Sequence, residues 1–122
     1  MLERKPNVLQ NKAEAFSTRI LKMTKYLRRR DVEPFLLNQV ARSGTSIGAN
    51  ISESRCAQSR ADFVSKLSIA LKESDETKYW IGQLHSLNYL LDKEYESIMN
   101  DVMEIIFLLN AIIKKTKENG LK

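Results

Sequence analysis

The sequence predicts an all-α protein, an antiparallel up-down-up-down four-helix bundle in which residues 1–122 form a single domain. Apolar residues recur in four segments, with the alternating spacing of three and four that is typical of amphipathic helices. The breaks between these segments are short, which favours antiparallel neighbours. Four Gly and two Pro are too few for a sandwich or a barrel, which needs a turn about every 8–12 residues.

The first two helices are predicted at about residues 8–30 and 34–55. The apolar series of the first is Leu9, Ala13, Phe16, Ile20, Met23 and Leu27. The chain is expected to break before Pro34, because a proline disfavours helical geometry in the residue that precedes it but suits a first helical turn. The series of the second helix is Leu36 or Leu37, Val40, Gly44, Ile47 and Ile51.

Residues 43–50 of the second helix are poor helix formers, and each Gly there costs about 1 kcal/mol relative to Ala. Local propensity alone favours a loop. However, Val40, Ile47 and Ile51 keep the helical register across the segment. We therefore predict a continuous helix whose small residues allow a neighbouring backbone to approach closely.

The third and fourth helices are predicted at about residues 59–91 and 93–117. Ser59 and Asp62 have the spacing of a capping box, and Asp92 is the expected N-cap of the fourth helix. The apolar and small residues of the third helix are Phe63, Leu67, Ala70, Ser74, Thr77, Ile81, Leu84, Asn88 and Leu91. Those of the fourth are Tyr95, Ile98, Val102, Ile105, Leu109, Ile112 and Thr116.

The net charge of +5 is unevenly distributed along the chain. Residues 1–60 carry +7 and residues 61–122 carry −2. Two basic clusters end the first and fourth helices, and they are the candidate nucleic-acid-binding residues: Lys22, Lys25, Arg28, Arg29 and Arg30, and Lys114, Lys115 and Lys117. Such residues can simply complement the helix dipole, or they can bind a phosphate backbone. Three consecutive arginines exceed what the dipole requires, which favours RNA or DNA.

A polar stripe follows one face of the second helix, because Arg42, Ser46, Asn50 and Glu53 are spaced by four, four and three residues. In an antiparallel hairpin, Arg42 falls opposite Glu73 and Glu76 on the third helix. The stripe is either a ligand site or a structural network between helices or subunits, and we favour the network. Trp80 is adjacent to Tyr79, so both cannot face the core, and Trp80 is a further candidate for a subunit interface.

The residues expected at an enzyme site are scarce. A di-iron bundle needs Glu-x-x-His on two helices, whereas the only histidine is His85 and Gly82 lies three residues before it. Cys56 is the single cysteine, so neither a disulfide framework nor a multi-cysteine zinc site is expected. We predict no enzymatic activity, no metal and no cofactor.

Two longer motifs carry a family resemblance. Residues 39–53 read QVARSGTSIGANISE, and residues 59–80 read SRADFVSKLSIALKESDETKYW. Both resemble, in order and separation, motifs of the 23S rRNA intervening-sequence protein family, to which accessory proteins of diversity-generating retroelements are related. The resemblance implies a four-helix bundle, a homopentameric ring with a central channel and, for the retroelement branch, binding of a reverse transcriptase and nucleic acid. It implies no established activity.

Together, these observations predict a non-catalytic cytoplasmic scaffold that binds RNA or DNA through its basic clusters. The alternative is an adaptor that recruits a protein partner, such as a nucleic-acid enzyme, without binding nucleic acid itself. The cytoplasm is expected because the thiol is free and no export signal is visible, and no membrane contact is expected.

Overall fold

The structure is a computed structural model that describes residues 7–120. Four helices account for almost all of them, and they are α1 (Val8–Arg28), α2 (Pro34–Ser54), α3 (Arg60–Ser86) and α4 (Asp92–Gly120). Consecutive helices pack against each other, and α1 also contacts α4, so the four helices form a closed bundle. This part of the chain contains no strand, which confirms the all-α prediction.

Side chains cap the helices at their predicted starts. Asn7 accepts a hydrogen bond from the backbone N–H of Gln10 at 2.8 Å, and the Ser59 hydroxyl accepts one from the N–H of Asp62 at 3.0 Å. The prediction for Asp92 was wrong, because Asp92 is the first residue of α4 and its carboxylate lies 2.7 Å from His85 Nε2. Glu94 caps this helix instead, since its carboxylate accepts from the N–H of Leu91 at 2.8 Å.

The third helix ends at Ser86, whereas the sequence pattern predicted an end at residue 91. Asn88 adopts a left-handed conformation, with φ of 66°. The N–H of Asn88 donates to His85 O, and the N–H of Tyr89 donates to Leu84 O. These two bonds form a Schellman motif, which satisfies the last carbonyls and stops the helix. The turn leaves Leu91 on the surface and buries Leu90 in the core.

The other helix bounds differ less from the prediction. The first helix ends at Arg28 rather than residue 30, and Asp31, with φ of 57°, turns the chain towards α2. The fourth helix continues to Gly120, three residues beyond the predicted 117. The second helix ends at Ser54, one residue before the predicted 55.

Residues 43–50 are helical throughout, as predicted. Gly44 faces Ile20 of α1 so closely that an added Cβ would lie 3.0 Å from Ile20 Cγ1 and Cγ2. An added Cβ at Gly48 would lie 3.1 Å from the Ser17 hydroxyl and 3.4 Å from the backbone oxygen of Ala13. Two helices therefore come into near backbone contact along this stretch, and only Gly fits between them without a shift.

Most members of the predicted apolar series form the core, whereas Met23, Phe63 and Tyr95 are only partly buried and Leu91 is exposed. Leu37 is fully buried and Leu36 only partly, which decides between the two alternatives in α2. In α4, Ile113 is buried and Ile112 lies at the edge of the core. Among the described helices, none combines the length and apolar character needed to cross a membrane.

Candidate functional site

Five basic residues cover the end of α1, and we call them the α1 basic cluster: Lys22, Lys25, Arg28, Arg29 and Arg30. All five are exposed. Within residues 7–120, none of them lies within 4.0 Å of a carboxylate oxygen, so their charges are not neutralised by a direct ion pair. In the part of the chain that the structure describes, two of these side chains have a hydrogen-bond partner, and both partners are neutral: Asn38 for Arg28 and Tyr26 for Arg30.

Arg28 extends from α1 towards the start of α2, where its guanidinium donates a hydrogen bond to Asn38 Oδ1 at 3.0 Å. Arg30 lies over the ring of Tyr26, with 5.6 Å between the guanidinium carbon and the ring centroid. Lys22 and Tyr26 are four residues apart and therefore share a face of α1. The cluster thus combines phosphate-binding groups with an aromatic ring.

A second basic cluster, the α4 basic cluster, consists of Lys114, Lys115 and Lys117, and all three are exposed. Lys117 borders a surface depression together with Arg60 at the start of α3. The structure does not bring the two clusters together. Glu94 lies beside Lys22, and the 23 residues of α4 from Glu94 to Lys117 span about 35 Å at 1.5 Å per residue.

Arg42 makes the contacts with α3 that the sequence predicted. Its guanidinium donates to Glu73 Oε2 at 3.4 Å and to Glu76 Oε2, and two further bonds join it to Gln39 Oε1. Trp80 donates from its indole Nε1 to the same oxygen of Glu76 at 2.9 Å. Arg42, Glu73, Glu76 and Trp80 therefore form one polar cluster across α2 and α3, which we call the Arg42 cluster.

The rest of the predicted polar stripe does not join the Arg42 cluster. Ser46 donates to Arg42 O, and Asn50 donates to Ser46 O, so both side chains bond within their own helix. Glu53 pairs instead with Lys66 at 3.4 Å. Ser46, Asn50 and Glu53 therefore have other partners. Of the four residues of the stripe, Arg42 is the one that contacts Glu73 and Glu76.

Aromatic side chains flank the Arg42 cluster on its outer side. The Trp80 ring packs edge-on against Phe35 at 5.8 Å and against Tyr79 at 4.9 Å between centroids. Phe35 and Tyr79 are exposed, whereas Trp80 is only partly so. The three rings and Arg42 make a mixed aromatic and charged surface, which is the composition that protein interfaces favour.

A cleft between α1 and α4 was missed by the sequence pattern. It has a volume of about 280 Å³, and Tyr26 forms part of its wall. Its other lining residues are Arg19, Lys22, Met23, Leu27, Leu90, Glu94 and Ile98. Tyr26 lies outside the apolar series of α1, and the only sequence signal for it was its position among five basic residues.

An apolar surface lies between the start of α1 and the middle of α4. Val8, Met103 and Phe107 are exposed there, with 72% of Phe107 accessible. They border a depression of about 460 Å³. Lys12 and Glu104 form an ion pair of 2.6 Å at its rim, and the hydrogen bond from Lys12 to that carboxylate raises the pKa of Lys12 above its ordinary 10.5.

His85 and Cys56 lie in different surroundings. The His85 ring stacks on Tyr95, with 3.9 Å between centroids, and its Nε2 is bonded to Asp92. Cys56 is exposed in the loop between α2 and α3, at the other end of α3. Within residues 7–120, no group of three His, Cys, Asp or Glu side chains could hold a metal ion.

Comparison with known proteins decides the family. The model of the family described as 23S rRNA-intervening sequence protein matches residues 5–111. The chain belongs to this family. Among solved structures, the chain is similar to a protein of unknown function from the S23 ribosomal protein family of Bacteroides thetaiotaomicron, with 50% sequence identity and a TM-score of 0.86. The match covers 88% of this chain and 99% of that one. None of the curated proteins matches the present chain.

The family match covers some of the candidate sites and not others. The α1 basic cluster and the Arg42 cluster both lie within residues 5–111. Lys114, Lys115 and Lys117 lie beyond residue 111 and thus outside the match.

Proposed function

We propose that this member of the 23S rRNA-intervening sequence protein family is a non-catalytic scaffold that binds RNA or DNA through the α1 basic cluster. The observation that carries the proposal is the set of five exposed cations without a carboxylate within ion-pair distance. Exposed cations of this kind bind the phosphate backbone and release its counterions, largely without regard to sequence.

The helix dipole does not account for the cluster. A cation in the last turn of a helix stabilises it by roughly 0.3–1 kcal/mol. Lys25 and Arg28 are the basic residues in the last turn of α1, whereas Arg29 and Arg30 follow its last residue. Two cations already complement the dipole, Lys22 lies before the last turn, and Arg29 and Arg30 extend the positive surface beyond the helix end.

We further infer that the helices run up-down-up-down and that the scaffold is a ring of five copies. Contacts between Lys12 and Glu104, Arg19 and Asp101, and Arg42 and Glu76 support opposite directions of the helices that carry them. The exposed Phe107, with its apolar neighbours, supports association between copies. In a ring, each α1 basic cluster is repeated, which increases the avidity for a long polyanion.

The proposal places this scaffold in the cytoplasm, where the exposed thiol of Cys56 stays reduced. It assigns no catalytic residue. The His85 ring stacks on Tyr95 and is hydrogen-bonded to Asp92, and these contacts suit a structural role between α3 and α4.

Salt-dependent binding of a labelled single-stranded RNA tests the proposal. We expect the logarithm of the association constant to fall linearly with the logarithm of salt concentration, with a slope of about −0.7 for each phosphate contact. The double variant Lys25→Ala/Arg29→Ala should make this slope shallower by about 1.4, because it removes two contacts. The double variant Lys72→Ala/Lys78→Ala removes the same charge from α3 and should leave the slope near that of the wild type. Equal slopes for both double variants would refute the role of the cluster.

The apolar surface around Phe107 favours a second candidate function, an adaptor for another protein. Native mass spectrometry of wild type and Phe107→Ser separates the two uses of this surface. Loss of the oligomer in the variant would assign the surface to self-association. An intact oligomer in the variant, together with a wild type that retains no nucleic acid, would favour the adaptor.

A further inference from the structure

We infer that the cleft beside Tyr26 binds an unpaired nucleobase, so that the protein recognises single strands in preference to duplexes. This inference rests on the proposed function and names the form of nucleic acid that the α1 basic cluster takes. The inference is based on the side chains that line the cleft, on the charged groups beside it and on its volume.

The cleft offers one aromatic wall and an apolar floor. Tyr26 has 54% of its side chain exposed, although it lies directly beside the buried Leu27. The floor comes from α1 and α4 and from the turn between α3 and α4, through the side chains of Met23, Leu90 and Ile98. Stacking of a base on an aromatic ring is the interaction that sequence-tolerant single-strand binding proteins use, because every base has a π face. A base in a duplex is already stacked and cannot enter.

Of the five cations of the α1 basic cluster, Lys22 lines the cleft and Arg30 contacts its Tyr26 side chain. Arg19 also lines the cleft, but its guanidinium is held by Asp101 at 2.6 Å and by the Ser97 hydroxyl at 2.9 Å. Within residues 7–120, Lys22 has no such ion pair, and Arg30 lies over one face of the Tyr26 ring. A base that stacks on Tyr26 therefore either displaces Arg30 or uses the opposite face of the ring, and its phosphate contacts Lys22 or the Arg30 guanidinium.

The carboxylate of Glu94, which also lines the cleft, favours one orientation of a bound nucleotide. The Oε1 atom of Glu94 accepts from the backbone N–H of Leu91, which fixes the side chain at the start of α4. The carboxylate repels a phosphate and accepts hydrogen bonds from the N–H groups on the edge of a base. It thus favours entry of the base end of a nucleotide.

The volume of about 280 Å³ also suits a single base. Sites for drug-sized ligands and cofactors measure roughly 300–1,000 Å³. The cleft is smaller than that range, and Lys22, which lines it, belongs to the α1 basic cluster, so the remainder of a strand can continue over the exposed Lys25 and Arg29.

The test compares a labelled single-stranded oligonucleotide with the duplex of the same sequence at one salt concentration. We expect tighter binding of the single strand by the wild type. Tyr26→Leu should weaken single-strand binding by about 5- to 150-fold, the range measured when one stacking ring is removed, and should leave duplex binding unchanged. Tyr26→Phe should retain single-strand binding, because the ring remains.

Tyr79→Leu is the matched control, since Tyr79 is an equally exposed tyrosine on α3, away from the cluster. Because Tyr79 packs on Trp80 of the Arg42 cluster, this control is evaluated as the ratio of single-strand to duplex affinity, which should equal that of the wild type. Equal binding of the two nucleic-acid forms, or an unchanged affinity of Tyr26→Leu for single strands, would overturn the inference and leave the proposed function intact. Failure of the wild type to bind either form would overturn both. Circular dichroism establishes that each variant is folded.

Discussion

Replacement of Gly44 by Ala tests whether close packing of α1 against α2 depends on the missing side chain. An added Cβ would lie 3.0 Å from two carbons of Ile20, whereas carbon atoms attract best at about 3.5–4.0 Å. Ile20 is fully buried and cannot move into solvent. Overpacking of this kind costs about 1–3 kcal/mol, and the better helix propensity of Ala returns about 1 kcal/mol. We therefore expect Gly44→Ala to lower the free energy of unfolding by up to about 2 kcal/mol.

Gly82→Ala provides the reference for this measurement. Gly82 is also inside a helix, four residues before the end of α3, and nothing lies within 4 Å of its added Cβ. The free energy of unfolding of this variant should rise by about 1 kcal/mol, because Ala has a higher helix propensity than Gly and meets no clash here. The two variants should thus differ by about 1–3 kcal/mol, or roughly 4–12 °C in melting temperature for a chain of this length.

Urea unfolding followed by circular dichroism measures both variants. If Gly44→Ala is as stable as Gly82→Ala, the packing argument is wrong. A double-mutant cycle with Ile20→Ala identifies the contact responsible. In the Ile20→Ala background the clashing carbons are gone, so Gly44→Ala should change from destabilising to stabilising.

Two further predictions concern the Arg42 cluster and the end of α3. Arg42→Ala should lower the melting temperature by a few degrees, because exposed ion pairs contribute at most about 1 kcal/mol each. It should also reduce the fraction of oligomer measured by light scattering. If neither the melting temperature nor the oligomer fraction changes, the Arg42 cluster does not stabilise the assembly. Arg42→Lys should restore only part of the loss, because an ammonium cannot pair with Glu73 and Glu76 in the manner of a guanidinium. Asn88→Ala should destabilise the protein by up to roughly 1–2 kcal/mol in urea unfolding, since its φ of 66° is left-handed, a conformation that the short polar side chain of Asn tolerates and that of Ala does not. Asn88→Gly should be neutral or stabilising, and a destabilising Asn88→Gly would contradict this explanation.

Much of the fold follows from residue spacing. The alternation of three and four residues selects the buried face of each helix, because 3.6 residues make one turn. It predicted that α2 continues through Gly44 and Gly48, although both residues have low helix propensity. It also predicted the partners of Arg42, because the antiparallel hairpin expected for the second and third helices places Arg42 opposite Glu73 and Glu76.

The same spacing failed at the end of α3. Asn88 and Leu91 keep the helical period, yet the helix ends before them. The chain gains more by turning at Asn88, which satisfies the final carbonyls and buries Leu90, than by adding further exposed helix. This balance depends on what Leu90 contacts in the folded bundle and therefore has no signal in a local pattern.

The candidate site divides in the same way. The amino-acid sequence by itself determined the four helices, the buried series and the accumulation of positive charge at the end of α1, because periodicity and charge are properties of neighbouring residues. Only the tertiary structure decided that Ser46 and Asn50 bond within their own helix and that Tyr26 borders a cleft. The cleft is formed by α1 and α4 from opposite ends of the chain, and its shape depends on how their side chains pack together.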